Sequence, residues 1–227
     1  VYLWYTHGSV PLFLKIAEKL VVKIFTASKE SCRVNSKKVV VVGHGIDVDV
    51  FRRQNEVLPS GMKFLSVSRI APSKDLGILI MGVGELKRQG LKNISFDIVG
   101  ASILSKDADY VKELHDLVRA EGLGDVVRFM GARSPSELPE IYHNHNIFLH
   151  ASRTGSVDKA VLEAMVAGLQ ILTSSDAYGD FAAGVILYKR GDYKDLAAKV
   201  VDEGWVHGVA YNAHGFQLVI ERASLPR

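Results

Sequence analysis

Several things are scarce in this chain of 227 residues, and each scarcity narrows what it can be. There is one cysteine, Cys32, so no disulfide framework can be built within the chain, which suits a reducing cytoplasm. Cys32 reads as a structural or solvent-facing thiol rather than a nucleophile. No apolar run reaches the roughly 20 residues needed to span a bilayer as a helix, and no signal peptide is evident. An excess of one charge is nearly absent: 28 Lys and Arg face 25 Asp and Glu, and the net +3 is too small to mark a nucleic-acid partner. The pattern GxGxxG is missing, which removes the dinucleotide fingerprint. No internal repeat or low-complexity tract occurs. His143, His145, His207 and His214 form no metal-like grouping with acids and read as ordinary exposed or partly buried histidines, so no metal site is expected.

What is present is an ordinary globular composition, 48% apolar and 23% charged. The first residue is Val1, no methionine precedes Met62, and the stretch ERASLPR stops without a clear terminal element; the chain reads as part of a longer protein. Short apolar runs alternate with helix-period segments. The runs YLWYT, KIFTAS, KVVVVG, KFLSVSR, ISFDIVG, VVRFMG, NIFLHAS, LQILTSS and VILYK are β-branched or aromatic. Several lack polar alternation, as strands of a parallel sheet covered on both faces do. Between them, PLFLKIAEKLVV, DLGILIMGVGELKRQG, DADYVKELHDLVRAEGL, SELPEIYHN and DYKDLAAKVVDEG repeat apolar residues at helical spacing, and Ser134, Pro135 and Glu137 form a capping-box start. Strand alternating with helix predicts an α/β, doubly wound, Rossmann-like parallel sheet. The best boundary is the polar, turn-rich stretch 43–61. It leaves 1–42 as the end of one domain, 62–204 as a nucleotide-binding-type domain and 205–227 as a tail.

In such sheets ligands sit at the carboxyl ends of the strands, so the loops there hold the candidates. Arg69 closes a strand and Lys74 precedes a helix. They read either as a diphosphate clamp, at roughly 1.5–3 kcal/mol per charge-assisted contact, or as two solvated surface cations. Gly100, directly after a strand, permits close approach of a ligand or simply makes a tight turn. Gly131, Ala132 and Arg133 present backbone groups that can read a base edge, with Arg133 alternatively a surface charge. In SRTGSVDKAVLEAMVAG, Ser156 and Asp158 are N-cap or first-turn residues, and the helix start over 156–160, Lys159 included, offers free amides and a partial positive charge to a phosphate. Glu163, more than a turn inside an otherwise apolar helix, needs a partner: a ribose diol or a structural salt bridge. His7 is read as ending a strand and facing a cleft, and His44 lies in the proposed linker; either is alternatively structural.

Taken together the loops resemble a known family. VVVVGHGIDVDVFR resembles the PNGVD…F linker of the retaining glycosyltransferases of the GT-B fold, family 4. LSVSRIAPSKDLGILI resembles their GR…KG…LL loop, and SVDKAVLEAMVAGLQILTSS their EGFG…LEAMA.G.PV signature, from about Lys38 to Val200 in the expected order. The resemblance implies the C-terminal half of such an enzyme, preceded by the end of its N-terminal half. It implies a nucleotide-diphosphate sugar as donor and an acceptor hydroxyl on a glycan, lipid or small molecule. It also implies no metal or other cofactor, and membrane association of the parent protein stays an open alternative to the cytoplasmic protein that the single cysteine suggests. Arg69 and Lys74 match the diphosphate cations, residues 131–133 the base-reading segment, Glu163 the second acid of a paired-glutamate motif, and His7 an active-site histidine. The first acid of that motif is replaced by Gly155. This departure favours a second reading, a degenerate module that only binds nucleotide sugar. A third, another GT-B enzyme such as a nucleotide-sugar epimerase, fits the LEAMVAG segment less well.

Overall fold

The computed structural model describes residues 1–29, 31–54, 59–102, 107–153, 157–178 and 185–202. The nine expected strands all form, in two parallel sheets. The smaller sheet has the order β1 (Tyr2–Trp4), β2 (Lys23–Thr26), β3 (Val39–Val41), with helix α1 (Leu12–Leu20) as the crossover between the first two. Its core is small: Val21, Ile24 and Cys32, with Leu3, Tyr5, Val34 and Val39 against them. The thiol of Cys32 is therefore structural. Of the apolar residues of α1, Leu14 is buried, whereas Leu12, Phe13, Ile16 and Leu20 are exposed.

The stretch 43–61 is more ordered than its polar composition suggests. Asp47 accepts a hydrogen bond from the N–H of Val50 and starts a one-turn helix, α2 (Val48–Phe51), too short to leave a periodic signal. Phe51 is buried against Tyr142, and Arg53 donates to the carbonyls of His143, His145 and Ala167. The segment is thus anchored on the larger sheet.

That sheet contains β4 (Met62–Val67), β5 (Ile94–Val99), β6 (Val127–Gly131), β7 (Ile147–His150), β8 (Gln170–Thr173) and β9 (Val185–Leu187). Its order is β6-β5-β4-β7-β8-β9, every pair parallel. Helices α3 (Leu76–Arg88), α4 (Ala108–Ala120) and α7 (Tyr193–Asp202) share one core with Phe64, Phe96, Ile98, Leu149 and Leu172. Helices α5 (Leu138–His143) and α6 (Lys159–Val166), with α2, share another with Leu65, Val99, Phe148 and Ile171. Neighbouring residues such as Phe64 and Leu65 belong to opposite cores and are both fully buried, which explains the unbroken apolar runs.

One buried polar cluster interrupts this core. Asp97 on β5 accepts two 2.8 Å bonds from Arg128 on β6 and a 3.2 Å bond from His145. Nδ1 of that histidine is 2.6 Å from the carbonyl of Ile141. His145 is therefore more buried and more fully engaged than the exposed or partly buried histidine expected. Burial pushes the Asp97 carboxyl up, but His145 and Arg128 overcome it and hold it below the usual range. Replacing Asp97 with Asn leaves both partners with a neutral acceptor. The expected loss is roughly 2–4 kcal/mol, read as a lower urea midpoint with an unchanged m-value.

Candidate functional site

The strand order changes direction between β4 and β7. The chain leaves β4 through α3 on one face and leaves β7 through α6 on the other, so the two loops part at the carboxyl edge, where a doubly wound sheet binds its ligands. They are stitched together there. The N–H of Arg153 donates to the carbonyl of Ser73 at 3.0 Å, and its guanidinium meets Asp75 at 2.8 Å. Asp75 has φ of +45°, a left-handed conformation disfavoured without glycine, and sits between the 3-10 turn Pro72–Lys74 and α3.

The strongest contact between the loops is an ion pair. Lys74 is 9% exposed, and its Nζ lies 2.6 Å from Oδ2 of Asp158. Of the two readings of Lys74, the solvated surface cation is excluded. Asp158 has the backbone of an N-cap residue for α6, but its side chain makes no cap bond. Instead the same oxygen also receives Nε2 of His150 at 2.8 Å. Nδ1 of His150 is 2.7 Å from Oγ1 of Thr173, which accepts from the N–H of Ser175. An Nε2–H imidazole satisfies this pattern: it donates to the carboxylate and accepts from the threonine hydroxyl. The Tyr178 hydroxyl meets the backbone N–H of Asp158 at 2.6 Å and stands edge-on to the ring of His150. Burial raises the Asp158 carboxyl, yet His150 and Lys74 together bring it down from the ordinary 3.8 to about 2.

The other candidates fall out differently. Arg69 is exposed, with no side-chain ion pair among the described residues. Gly100, at φ of +136°, is required by the protein itself: a Cβ there would lie 1.8 Å from the carbonyl oxygen of Ser68. Its glycine is thus explained without a ligand. Its N–H donates to the carbonyl of Gly131, where a register shift between β5 and β6 brings that residue opposite Val99. Gly131, Ala132 and Arg133 are exposed, and the Arg133 guanidinium pairs with Glu137 at 3.3 Å, the surface-charge alternative. Glu137 also accepts from the N–H of Ser134, completing the expected capping contact.

Glu163 is half-buried in α6, and its Oε2 accepts a 3.0 Å bond from the hydroxyl of Tyr142. Its partner is thus a phenol and not the salt bridge that was the alternative. Burial raises its carboxyl above the usual range, against the hydrogen bond of Tyr142 and the charge of Lys159. Oε1 has no hydrogen-bond partner among the described residues. Lys159, first residue of α6, is exposed. His44 donates through Nε2 to the carbonyl of Val157, 3.1 Å away, so the linker touches the approach to α6. Burial, then the charge of Lys159, lower its pKa. His7 does not end a strand: β1 closes at Trp4, and His7 is exposed with Nδ1 3.1 Å from the Ser9 hydroxyl. Gly155, Ser156, His207, His214 and the tail 205–227 lie outside the described residues.

Sequence reasoning passed over His150, Tyr142 and Tyr178. His150 was findable, because it is the last residue of β7 and the strand-end rule applied to His7 selects it too. The tyrosines gave no such signal, since each looks like core until its hydroxyl partner is seen. Among the described residues, no group of three or more His, Cys, Asp or Glu is placed to hold a metal ion, and no helix is long and apolar enough to cross a membrane.

A doubly wound sheet with charged loops at its switch point defines the class, a Rossmann-like nucleotide-binding-type domain. Residues 47–200 match the model of the family "Glycosyl transferases group 1", and the chain belongs to that family. It is 26% identical over 199 residues to a D-inositol 3-phosphate glycosyltransferase of Actinosynnema mirum, a match covering 78% of this chain and 47% of the relative. The chain therefore spans about half the length of that relative. Among solved structures, HepE of Anabaena in complex with UDP and glucose superposes with a TM-score of 0.79 at 18% identity, over 97% of this chain and 67% of that one. The C-terminal domain of the group 1 protein LpcC from Francisella tularensis gives 0.65 at 20% identity, over 78% and 97%. The fold is that of the C-terminal half of a GT-B glycosyltransferase.

The depressed Asp158 carboxyl sets a pH dependence. Its contribution is complete above the unfolded value near 3.8 and is lost as pH falls through about 2. The expected size is roughly 2 kcal/mol. Thermal unfolding between pH 6 and 2.5 is expected to show a steeper loss for the wild type than for Asp158→Asn; parallel curves contradict the pair.

Proposed function

We propose that the full-length protein transfers a sugar from a nucleotide-diphosphate donor to an acceptor hydroxyl, with retention at the anomeric carbon, and that this chain carries the donor half of the site. The observation that carries the reading is the meeting, at the β4/β7 switch point, of a cation-bearing loop with the N-terminal end of α6. The UDP and UDP-glucose complexes of HepE support a nucleotide-sugar ligand on this fold.

In this reading the diphosphate lies against the α6 start, residues 157–160, where first-turn amides and the helix dipole favour an anion. Arg69, exposed and without an ion-pair partner among the described residues, supplies positive charge to the departing diphosphate, and Lys74 lies on the same loop. Charge aimed at the leaving group is what a transferase needs as the glycosidic bond to the diphosphate lengthens. Glu163 turns Oε1 to the ribose diol while Tyr142 fixes Oε2. The backbone of 131–133 faces the base, and His7 lies toward the transferring sugar. The positive charge comes from side chains and the helix, and no metal is assigned a role. The single cysteine, Cys32, supports a cytoplasmic reaction.

One observation favours a second reading, a module that binds nucleotide sugar without turnover: Lys74 is already neutralised by Asp158, alongside the glycine at position 155 in place of an acid. Donor hydrolysis or transfer by the full-length protein separates the two.

Calorimetry with UDP tests the site. Arg69→Ala is expected to weaken binding about tenfold, and Arg69→Ala with Lys74→Ala to abolish it. Glu163→Ala is expected to weaken UDP but not inorganic pyrophosphate, which has no ribose. Equal affinities across these variants contradict the assignment.

A further inference from the structure

The pair between Lys74 and Asp158 is more than a brace. A diphosphate arriving at the end of α6 meets a carboxylate that holds the lysine on the β4 loop. The same oxygen takes His150, so one acid engages two donors that face the switch point. Asp158 has left the amides of its own helix to do this, since its side chain caps none of them. The helix end is therefore uncapped by that acid, while the nearest buried ammonium is already in use.

We propose that Asp158 is an internal anion that competes with the donor diphosphate for Lys74. When the nucleotide binds, the ammonium transfers to a phosphate oxygen and Asp158 keeps the hydrogen bond from His150. The inference rests on the donor-site reading above. Two arguments favour exchange over simple sharing. First, an ion pair with side chains only 11% and 23% exposed holds its anion with little screening by water. Second, an ammonium bridging both anions would hold the carboxylate and the diphosphate at contact distance, a juxtaposition of like charges that costs several kcal/mol. His150 keeps the carboxylate hydrogen-bonded once its lysine has left. Its ring is fixed from behind by Thr173 and from the side by Tyr178, so it retains the acid near the site instead of releasing it to solvent. Asp158 would then lower donor affinity and hasten release of the nucleoside diphosphate after transfer.

The test measures calorimetric affinity for inorganic pyrophosphate and UDP on the whole chain. Asp158→Asn is expected to bind both about tenfold more tightly than the wild type, and adding Lys74→Met is expected to remove that gain. Asp158→Asn binding equally or more weakly, while Lys74→Met weakens the otherwise wild-type protein, overturns the proposal and leaves the donor site standing; Asp158 would then position Lys74. If no nucleoside diphosphate binds the wild type or any variant, the donor-site reading falls and the competition with it. A measurement on the unaltered protein covers the case in which the variants unfold. The carbon-13 resonance of the Asp158 carboxyl is expected to shift on pyrophosphate saturation as its lysine departs. A resonance that stays put while pyrophosphate binds overturns the exchange.

Discussion

A lysine held out of water by an aspartate is the contact on which the arrangement at the sheet edge depends. An ammonium as buried as that of Lys74 needs an anion, because removing a charge from water without one is costly. Asp158 supplies it from across the switch point, and the two loops that the topology drives apart are held at a defined separation. Arg153 repeats the device one step away, through Asp75 and the carbonyl of Ser73. The edge of the sheet is thus a charged seam, fixed by groups that have partners in the protein itself.

The seam owes its place to the core beneath it. Strands apolar on both faces give two cores of different composition, one under α3, α4 and α7 and the other under α2, α5 and α6. The second core brings Tyr142 under α6, and its hydroxyl is why a carboxylate survives at Glu163 among Val161, Leu162, Ala164 and Met165. Backbone contacts set the rim. The β4 loop passes so close to Gly100 that no side chain fits there, and the β5 loop is tied in turn to Gly131. Packing fixes the loops, the loops fix the charges, and the charges define what kind of ligand the edge suits.

Much of this was legible in the sequence. All nine strands were marked by β-branched or aromatic runs, and their alternation with helices set the class, because periodicity is local and the residues carry it. The helix over 48–51 was not legible, since one turn has no period and its start rests on the single Asp47 cap. Pairing was harder still. Lys74 and Asp158 stand 84 residues apart, and nothing local to either reveals that each neutralises the other. Gly100 permits either a ligand's approach or a tight turn as far as local sequence shows, and a carbonyl on a neighbouring strand end accounts for it. The reading of His7 as a strand end fails because the first strand closes three residues before it. In each case the missing information is a contact distant in the chain.

The central claim is that a nucleoside diphosphate binds at the carboxyl edge between β4 and β7 with its phosphates on the end of α6. A crystal structure of the complex with UDP tests it most directly. The account predicts phosphate oxygens at the backbone amides around Lys159 and within reach of Arg69, and a ribose hydroxyl on the Glu163 carboxylate. A nucleotide bound elsewhere on the chain, or one at this edge whose ribose turns away from Glu163, contradicts it.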